Sequence, residues 1–353
     1  MPAAETSVAT TALRAVDVSA GYGTGRRAPN VLHSVDLTVA ASRTVGVVGE
    51  SGSGKSTLAR VLVGQLRPAR GQVLLKDTDI WAQRGADLRA VRRRIQLIPQ
   101  DPYASLDPRM TIRRALAEAI DPDGYRANRH RERVAELLRT VALDPDVADR
   151  YPHEFSGGQR QRIAIARALA VEPEVIIADE VTSSLDASVQ AEILNLLQSV
   201  QAQTGVGMVF ITHDLSVANY LCDEICVLYL GRIVERGSNQ VLFRPDHPYT
   251  RLLVESIPVA GGSRAEVTAP GAAPGGDESA DPSRPPSGCP FHPRCPVGPA
   301  RVPGRDICIS ERPPLATRWT DGPGGAYRAT ACHFPLDTPP SKAATSTNAA
   351  SLD

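Results

Sequence analysis

Residues 49 to 57 form a pattern that is typical of loops that hold phosphate groups. They match G-x-x-x-x-G-K-[ST], and they stand between a predicted strand and a predicted helix, as such a loop requires. Glycines let the backbone curl until several N–H groups point at phosphate oxygens, and the helix adds its positive N-terminal end. This context disfavours the alternative, a Gly/Ser turn that binds nothing. The residues are Gly49, Glu50, Ser51, Gly52, Ser53, Gly54, Lys55, Ser56 and Thr57.

Lys55 and Ser56 supply the charge chemistry of this loop. The chain has only three lysines, so a lysine at this position is informative. At about 4 Å and an effective dielectric constant near 20, its ammonium group stabilises a phosphate by on the order of 4 kcal/mol before desolvation. Ser56 offers a hydroxyl to Mg²⁺, and Thr57 contributes through its backbone.

Two carboxylates, Asp179 and Glu180, end a short apolar run that predicts a buried strand over residues 175–178. Ligand crevices of open parallel sheets lie at the carboxyl ends of the strands. We therefore expect Asp179 to hold Mg²⁺ through water and Glu180 to polarise the water that attacks a γ-phosphate. The alternative is a solvated acidic turn, which the phosphate loop disfavours.

Ser156, Gly157, Gly158 and Gln159 precede a helix that contains Ile163. Ser156 is a good N-cap, which is the structural interpretation of this turn. A Ser-Gly-Gly sequence at the start of a helix also forms an anion site, although the chain already has a phosphate loop of its own.

These residues must be positioned by an α/β arrangement. Residues 44–49 predict a strand, and the spacing of Leu58, Val61, Leu62 and Leu66 predicts a helix after it. Residues 101–165 are mainly helical in pattern and predict a separate helical lobe. Strands and helices then alternate, as in a parallel sheet layered with helices. The predicted elements are strands 35–39, 72–75, 95–99, 206–212 and 225–230, and helices 187–201 and 215–221.

The C-terminal third changes in composition. Residues 259–288 are rich in Gly, Pro, Ala and Ser and predict a linker. A cysteine-bearing segment follows over residues 289–335, and residues 336–353 are expected to be disordered. The main domain is thus expected over residues 10–258.

Bulk composition excludes several classes of protein. The 39 basic and 39 acidic side chains cancel, so no global field attracts nucleic acid. The chain contains no run of about 18 apolar residues and does not start like a secretory signal, so we expect it in the cytoplasm. Cysteines are reduced there, and clustered ones indicate metal sooner than disulfides. Cys222 and Cys226 are expected in the core.

Taken together, the phosphate loop, the Asp-Glu pair and the LSGGQ-type turn resemble the ATP-hydrolysing subunits of ABC-type membrane transporters. The resemblance implies a P-loop NTPase (RecA-like) core with an antiparallel β subdomain and an inserted helical subdomain, plus the cysteine-bearing C-terminal extension. In that family two subunits pack head to tail, so that Ser156, Gly157, Gly158 and Gln159 of one would close over ATP held by Lys55 of the other.

The resemblance implies roles for further residues. Gln100 would sense Mg²⁺ and the attacking water, and His213 would contact the γ-phosphate. Tyr22 would stack on adenine. The loop that ends in Asp186 would communicate across the dimer. The family usually has proline and alanine where this chain has Val181 and Ser184. Neither difference removes a catalytic atom, so these differences concern the rigidity of the two turns sooner than the activity.

Three stretches, at residues 100–108, 151–162 and 247–253, are similar to the ATP-binding subunits of oligopeptide, dipeptide and nickel importers. The resemblance implies a protein peripheral to the cytoplasmic face of the membrane. It also implies two membrane-spanning permease subunits, a second ATPase subunit, identical or paralogous, and indirectly an extracytoplasmic solute-binding protein. Peptides are the expected cargo, with nickel or another small solute as the alternative. A non-transport ABC ATPase and a small-molecule kinase are the rival classes.

The resemblance to these importer subunits also covers the cysteine-bearing segment. Cys289, Cys295, Cys308 and Cys332 could supply four thiolates to a [4Fe-4S] cluster or to zinc, since both accept four sulfur ligands. The spacing is not the C-x₂-C of common zinc sites. A third interpretation, buried thiols without metal, stays open.

Overall fold

The protein, represented by a computed structural model, is described over residues 10–23, 29–122, 129–183, 185–257, 281–320 and 327–336. In these residues the strands form two sheets. The strands are β1 (Thr11–Gly21), β2 (Asn30–Ala40), β3 (Thr44–Val48), β4 (Arg70–Leu75), β5 (Thr78–Asp79), β6 (Ile95–Ile98), β7 (Val175–Asp179), β8 (Gly207–Thr212), β9 (Glu224–Tyr229), β10 (Arg232–Ser238), β11 (Ala316–Thr320) and β12 (Tyr327–Thr330).

The α-helices of the same residues lie between and after these strands. They are α1 (Lys55–Leu62), α2 (Gly85–Arg93), α3 (Ile112–Ile120), α4 (Arg131–Thr140), α5 (Gly157–Leu169), α6 (Ala187–Thr204), α7 (Leu215–Leu221), α8 (Gln240–Phe243), α9 (Pro248–Glu255) and α10 (Ile307–Ser310). No helix among the described residues is both long and apolar enough to cross a membrane.

The larger sheet has the strand order β11-β12-β10-β9-β3-β8-β7-β6. Strands β9, β3, β8, β7 and β6 run parallel, so their carboxyl ends share one edge. The smaller sheet, β2-β1-β4-β5, is antiparallel. This is the predicted combination of a parallel core and an antiparallel β subdomain.

Two hydrophobic cores cover the two faces of the parallel sheet. In β7, Val175 and Ile177 belong to one core, whereas Ile176 and Ala178 belong to the other. The alternation follows from the two-residue period of a strand. Because both faces are buried, β3 and β8 are apolar almost throughout, which is why a continuous apolar run predicted them correctly.

Helices α3 and α4 and the start of α5 form the predicted helical region. Leu116, Leu138 and Ile163 are fully buried in one shared core with the parallel sheet. One helix boundary differs from the prediction: α1 ends at Leu62, because Gly64 adopts a left-handed conformation with φ of 72°. Leu66 lies beyond the helix and still packs against the core.

The cysteine-bearing segment joins the large sheet. Strand β12 pairs antiparallel with β10, and β11 pairs with β12. Arg328 of β12 forms a buried ion pair with Asp246, with 2.7 Å between Nη1 and Oδ1. Most of the predicted linker, namely residues 259–280, and the predicted tail beyond residue 336 lie outside the described residues.

The buried pair predicts a local loss of stability. Its side chains are only 9% and 10% exposed, and removing one partner of a buried pair costs about 3–5 kcal/mol. We expect Arg328→Met to accelerate hydrogen exchange of the β12 amides strongly, measured by mass spectrometry. Arg318→Met, at an exposed position of the neighbouring strand, is the control. Unchanged exchange in β12 would show that the pair does not hold this strand.

Candidate active site

The phosphate loop connects β3 to α1 at the carboxyl edge of the parallel sheet. Two of its glycines are required by geometry: Gly49 has a φ of 157°, and a Cβ there would lie 2.2 Å from the carbonyl oxygen of Leu228. Gly54 has a φ of 105° and precedes the first residue of α1. The loop therefore takes a conformation that residues with side chains rarely adopt.

Lys55 is held inside this loop. Its Nζ donates to the backbone oxygens of Gly49 and Glu50, at 2.8 and 2.9 Å, and the residue is only 5% exposed. Burial lowers the pKa of Lys55, while the carboxylates of Glu180 and Asp179 oppose this shift. The ammonium group is thus positioned by the backbone and faced by the two predicted acids.

Asp179 and Ser56 fit a Mg²⁺ ion. Burial raises the pKa of the Asp179 carboxyl group, and the neighbouring Ser56 side chain opposes this shift. Asp179 Oδ1 is buried and has no hydrogen-bond partner within the described part of the chain. Carboxylate and hydroxyl oxygens are ligands that Mg²⁺ accepts, and a buried carboxylate oxygen without a partner is costly unless a cation binds it.

Three polar side chains converge on the Glu180 carboxylate. Gln100 Nε2 donates to Glu180 Oε2 at 3.1 Å, and His213 Nδ1 lies 3.5 Å from Glu180 Oε1. Lys55 Nζ is 3.9 Å from the same Oε1. Gln100 and His213 lie in the loops after β6 and β8, and Lys55 is the first residue of α1, directly after the loop that follows β3. The structure thus brings together four residues that the sequence predicted separately.

The backbone of Glu180 is strained. Its φ is 48°, which is unusual for a residue with a long side chain. The conformation costs about 1–2 kcal/mol, and a hydrogen bond from Glu180 N–H to Ile211 O, 2.9 Å long, accompanies it. The two adjacent carboxylates have different neighbours: Ser56 lies beside Asp179, whereas Glu180 faces Gln100, His213 and Lys55.

Among the described residues, the turn at residues 156–159 forms no hydrogen bond or ion pair with these groups. Ser156 Oγ accepts from Gln159 N–H at 3.3 Å, and the Gln159 side chain accepts from Ser156 N–H at 3.0 Å, which forms a capping box. A Cβ on Gly158 would lie 2.4 Å from Val189 Cγ1, so glycine lets α5 approach α6 closely. Ser156, Gly157 and Gln159 are exposed.

Tyr22 and Asp186 were both predicted from the resemblance. Tyr22 is 46% exposed, and its hydroxyl accepts a hydrogen bond from Arg60 of α1 at 3.1 Å. This position beside the phosphate loop suits an aromatic that stacks on a base, and the role stays a prediction. Asp186 caps α6 by accepting from Val189 N–H, which lowers its pKa. Ser184 lies outside the described residues.

Comparison with known proteins decides the family. The chain is 47% identical over 304 residues to a protein of Sinorhizobium fredii named as a probable peptide ABC transporter ATP-binding protein, covering 86% of this chain and 82% of the relative. The family model described as "ABC transporter" matches residues 32–183.

The chain belongs to the ABC transporter family.

Other relatives agree with this ABC assignment. The oligopeptide transport ATP-binding protein AppF of Bacillus subtilis is 45% identical over 286 residues, 79% of this chain and 83% of that protein. Among solved structures, a dimeric ATP-binding cassette in a post-hydrolysis state with ADP and phosphate aligns with a TM-score of 0.58 and 29% identity, over 64% of this chain and 98% of that one. The resemblance and the ABC ATPase fold are therefore confirmed.

The ABC chain also matches a second model, described as the C-terminal region of oligopeptide/dipeptide transporters, over residues 234–300. Two of the predicted cysteine ligands lie in this region. All four cysteines, with His247 and Phe291, line one small cavity of about 10 Å³. Burial raises the pKa of Cys289 to about 11 and that of Cys332 to about 12. No group of three or more His, Cys, Asp or Glu residues in the described ranges is arranged to hold a metal ion.

Cys222 and Cys226 are buried, as predicted for core residues, and burial raises the pKa of both thiols.

Three contacts near the ATP site were not predicted. Arg60 donates to Tyr22, Tyr249 accepts from the backbone of Glu50, and Arg294 pairs with the Glu50 side chain. The last two join residues about 200 or more positions apart, and no local pattern reveals such contacts.

The geometry around Glu180 predicts the effect of removing its charge. Glutamine has nearly the same size as glutamate and can still form hydrogen bonds, but it cannot act as a base toward water. We therefore expect ATP turnover in Glu180→Gln to fall about 10²-fold or more. ATP affinity should be retained, because the loop and Lys55 are untouched. Steady-state ATPase assays and equilibrium nucleotide binding measure the two effects. The control is Glu136→Gln, on an exposed face of α4; turnover equal to wild type in Glu180→Gln would remove this residue from the mechanism.

Proposed function

We propose that this ABC ATPase hydrolyses Mg·ATP to drive the import of peptides across the cytoplasmic membrane. The observation that carries the proposal is the convergence of Gln100, His213 and Lys55 on the Glu180 carboxylate, beside the Ser56 and Asp179 pair. The direction of transport and the cargo rest on the relatives that are named as peptide import or oligopeptide transport ATP-binding proteins.

In this mechanism each residue has one task. Lys55 and the N–H groups of the loop hold the outer phosphates. Ser56 and Asp179 would hold a magnesium ion, which would supply positive charge beside the phosphates. Glu180 accepts a proton from the attacking water, and Gln100 orients the carboxylate through its amide N–H. His213 reaches the γ-phosphate from the end of β8.

We further propose that a second ATPase subunit completes the site. Within the described residues, no hydrogen bond or ion pair is recorded between the turn at 156–159 and the phosphate loop, and the turn is mostly exposed. The capping box uses the N–H groups of Ser156 and Gln159, so the N–H groups of Gly157 and Gly158 would be the ones that bind ATP held by a partner. Tyr22 would stack on adenine, and Asp186 would lie near the partner's nucleotide.

The chain would act at the cytoplasmic face of the membrane, on two permease subunits that receive peptides from a solute-binding protein. Nickel or another small solute is the alternative cargo. With 39 basic and 39 acidic side chains the chain offers no excess charge for nucleic acid, which argues against a DNA-repair or translation role.

Transport is tested by purification from membranes and reconstitution. We expect the tagged chain to co-purify with two membrane-spanning subunits, and vesicles with the complex and the binding protein to take up a labelled oligopeptide only with Mg·ATP on the ATPase side. The Glu180→Gln complex is the matched control, which should assemble but not transport. Co-purification with ribosomes or DNA would contradict the proposal, and uptake of nickel but not of peptide would replace the cargo.

We also propose that Cys289, Cys295, Cys308 and Cys332 bind a [4Fe-4S] cluster. Four thiols that line one cavity supply the donor set of such a cluster. A cluster spreads its thiolate ligands around a body several atoms wide, so the thiols need not converge on one point as they must for a single ion. Bound iron would also favour the thiolate over the thiol, against the effect of burial.

Metal analysis distinguishes the three interpretations of these cysteines. Protein purified without oxygen should be brown and contain about four irons per chain, and Cys308→Ser should lose both the colour and the iron. Cys222→Ser, in the core away from the cavity, serves as control and should keep them. One zinc per chain would indicate a zinc site, and colourless protein without metal would leave buried thiols as the correct interpretation.

A further inference from the structure

A two-bond ion pair connects the cysteine-bearing segment to the phosphate loop. Arg294 Nη1 donates to Glu50 Oε2 at 2.8 Å, and Nη2 donates to Glu50 Oε1 at 3.0 Å. Glu50 is the second residue of the loop, and Arg294 directly precedes Cys295. Single ion pairs at a surface contribute little, but the parallel two-bond arrangement of guanidinium and carboxylate is the stronger and more directional kind.

Glu50 is fixed at its other polar groups as well. Its backbone N–H donates to the hydroxyl of Tyr249 at 2.9 Å, and its backbone oxygen accepts from Lys55 Nζ at 2.9 Å. Tyr249 is fully buried in α9. Glu50 is thus held by Lys55 on one side and by Tyr249 and Arg294 on the other.

Packing keeps Arg294 and Tyr249 in place. Phe291 is 1% exposed, and its ring lies 5.3 Å from Tyr229 and 5.4 Å from Tyr249. The Arg294 guanidinium carbon lies 6.0 Å from the rings of both Tyr229 and Phe291, close enough for a cation–π contribution. Phe291 also lines the cavity of the four thiols. The cavity and the phosphate loop therefore share one packed group of side chains.

We propose that the cysteine-bearing segment is a structural part of the nucleotide site and that Arg294 is the positioning residue through which it acts. Arg294 holds the loop by its second residue and compensates a carboxylate that would otherwise stand beside the phosphates of the nucleotide. The proposal rests on the proposed ATPase function and deepens it. Arg294 touches none of Glu180, Gln100 or His213, so it sets the affinity for ATP rather than the rate of hydrolysis.

The test compares four variants of the full-length protein. Arg294→Met removes the ion pair, and Arg294→Lys keeps the charge without the two-bond geometry. Glu50→Gln/Arg294→Met also removes the uncompensated carboxylate. Arg301→Met, an exposed arginine in the same segment, is the control. Each is assayed for KM and kcat of Mg·ATP hydrolysis and for the Kd of ATP.

We expect Arg294→Met to raise Kd and KM by at least about fivefold, the lower end of typical coupling between sites, with kcat within about twofold of wild type. Arg294→Lys should lie in between, the double variant should recover most of the affinity, and Arg301→Met should match wild type. If Kd and KM stay unchanged in Arg294→Met, or if kcat falls while KM stays constant, the proposal is wrong.

Two further outcomes keep the test decisive. If Arg294→Met does not fold, recovery of both folding and affinity in the double variant supports the role of charge compensation. If Arg294→Lys binds ATP as tightly as wild type, the two-bond geometry is not needed and that part of the proposal is wrong. Failure of the ATPase proposal itself is distinguishable, because wild-type protein would then neither bind nor hydrolyse ATP.

Discussion

The site depends on one geometric constraint: the parallel strands of the large sheet end at the same edge. Strands β3, β6, β7 and β8 belong to the parallel part of that sheet, and the residues at or just after their carboxyl ends supply the lysine, the glutamine, the acid pair and the histidine. Neighbouring strands lie about 4.8 Å apart, so the order of the strands brings these residues near one another, and the contacts to Glu180 complete the arrangement. The left-handed conformation of Glu180 then aims its carboxylate at the other three groups.

Much of this site could be predicted from the sequence, since the chemistry lies in short segments. The phosphate loop is specified by nine consecutive residues, and the acid pair directly follows an apolar strand. Gln100 and His213 needed the family resemblance, because a single polar residue after a strand has many structural explanations. The positive φ of Glu180 had no sequence signal at all, since this conformation usually belongs to glycine, asparagine or aspartate.

The C-terminal segment shows where sequence reasoning stops. Its composition and the Gly/Pro-rich stretch before it predicted an appendage beside a complete ATPase. In the structure, β12 adds to the main sheet and Arg294 reaches the phosphate loop across 244 positions of sequence. Both contacts depend on how distant strands are ordered in a sheet. Periodicity and local motifs report which element forms, and they carry no information about such order.

In the proposed mechanism each chain contributes to two nucleotide sites. Its phosphate loop binds one ATP, and the exposed start of α5 at residues 156–159 offers N–H groups to the ATP bound by its partner. The most direct test is a tandem fusion of two copies of the chain carrying Lys55→Ala and Ser156→Arg, either on different copies or on the same copy. If sites form between protomers, the two changes on different copies leave one site intact and ATP hydrolysis is retained. The same changes on one copy then damage both sites and abolish hydrolysis. The reverse pattern, with activity only when both changes share one copy, would contradict the account.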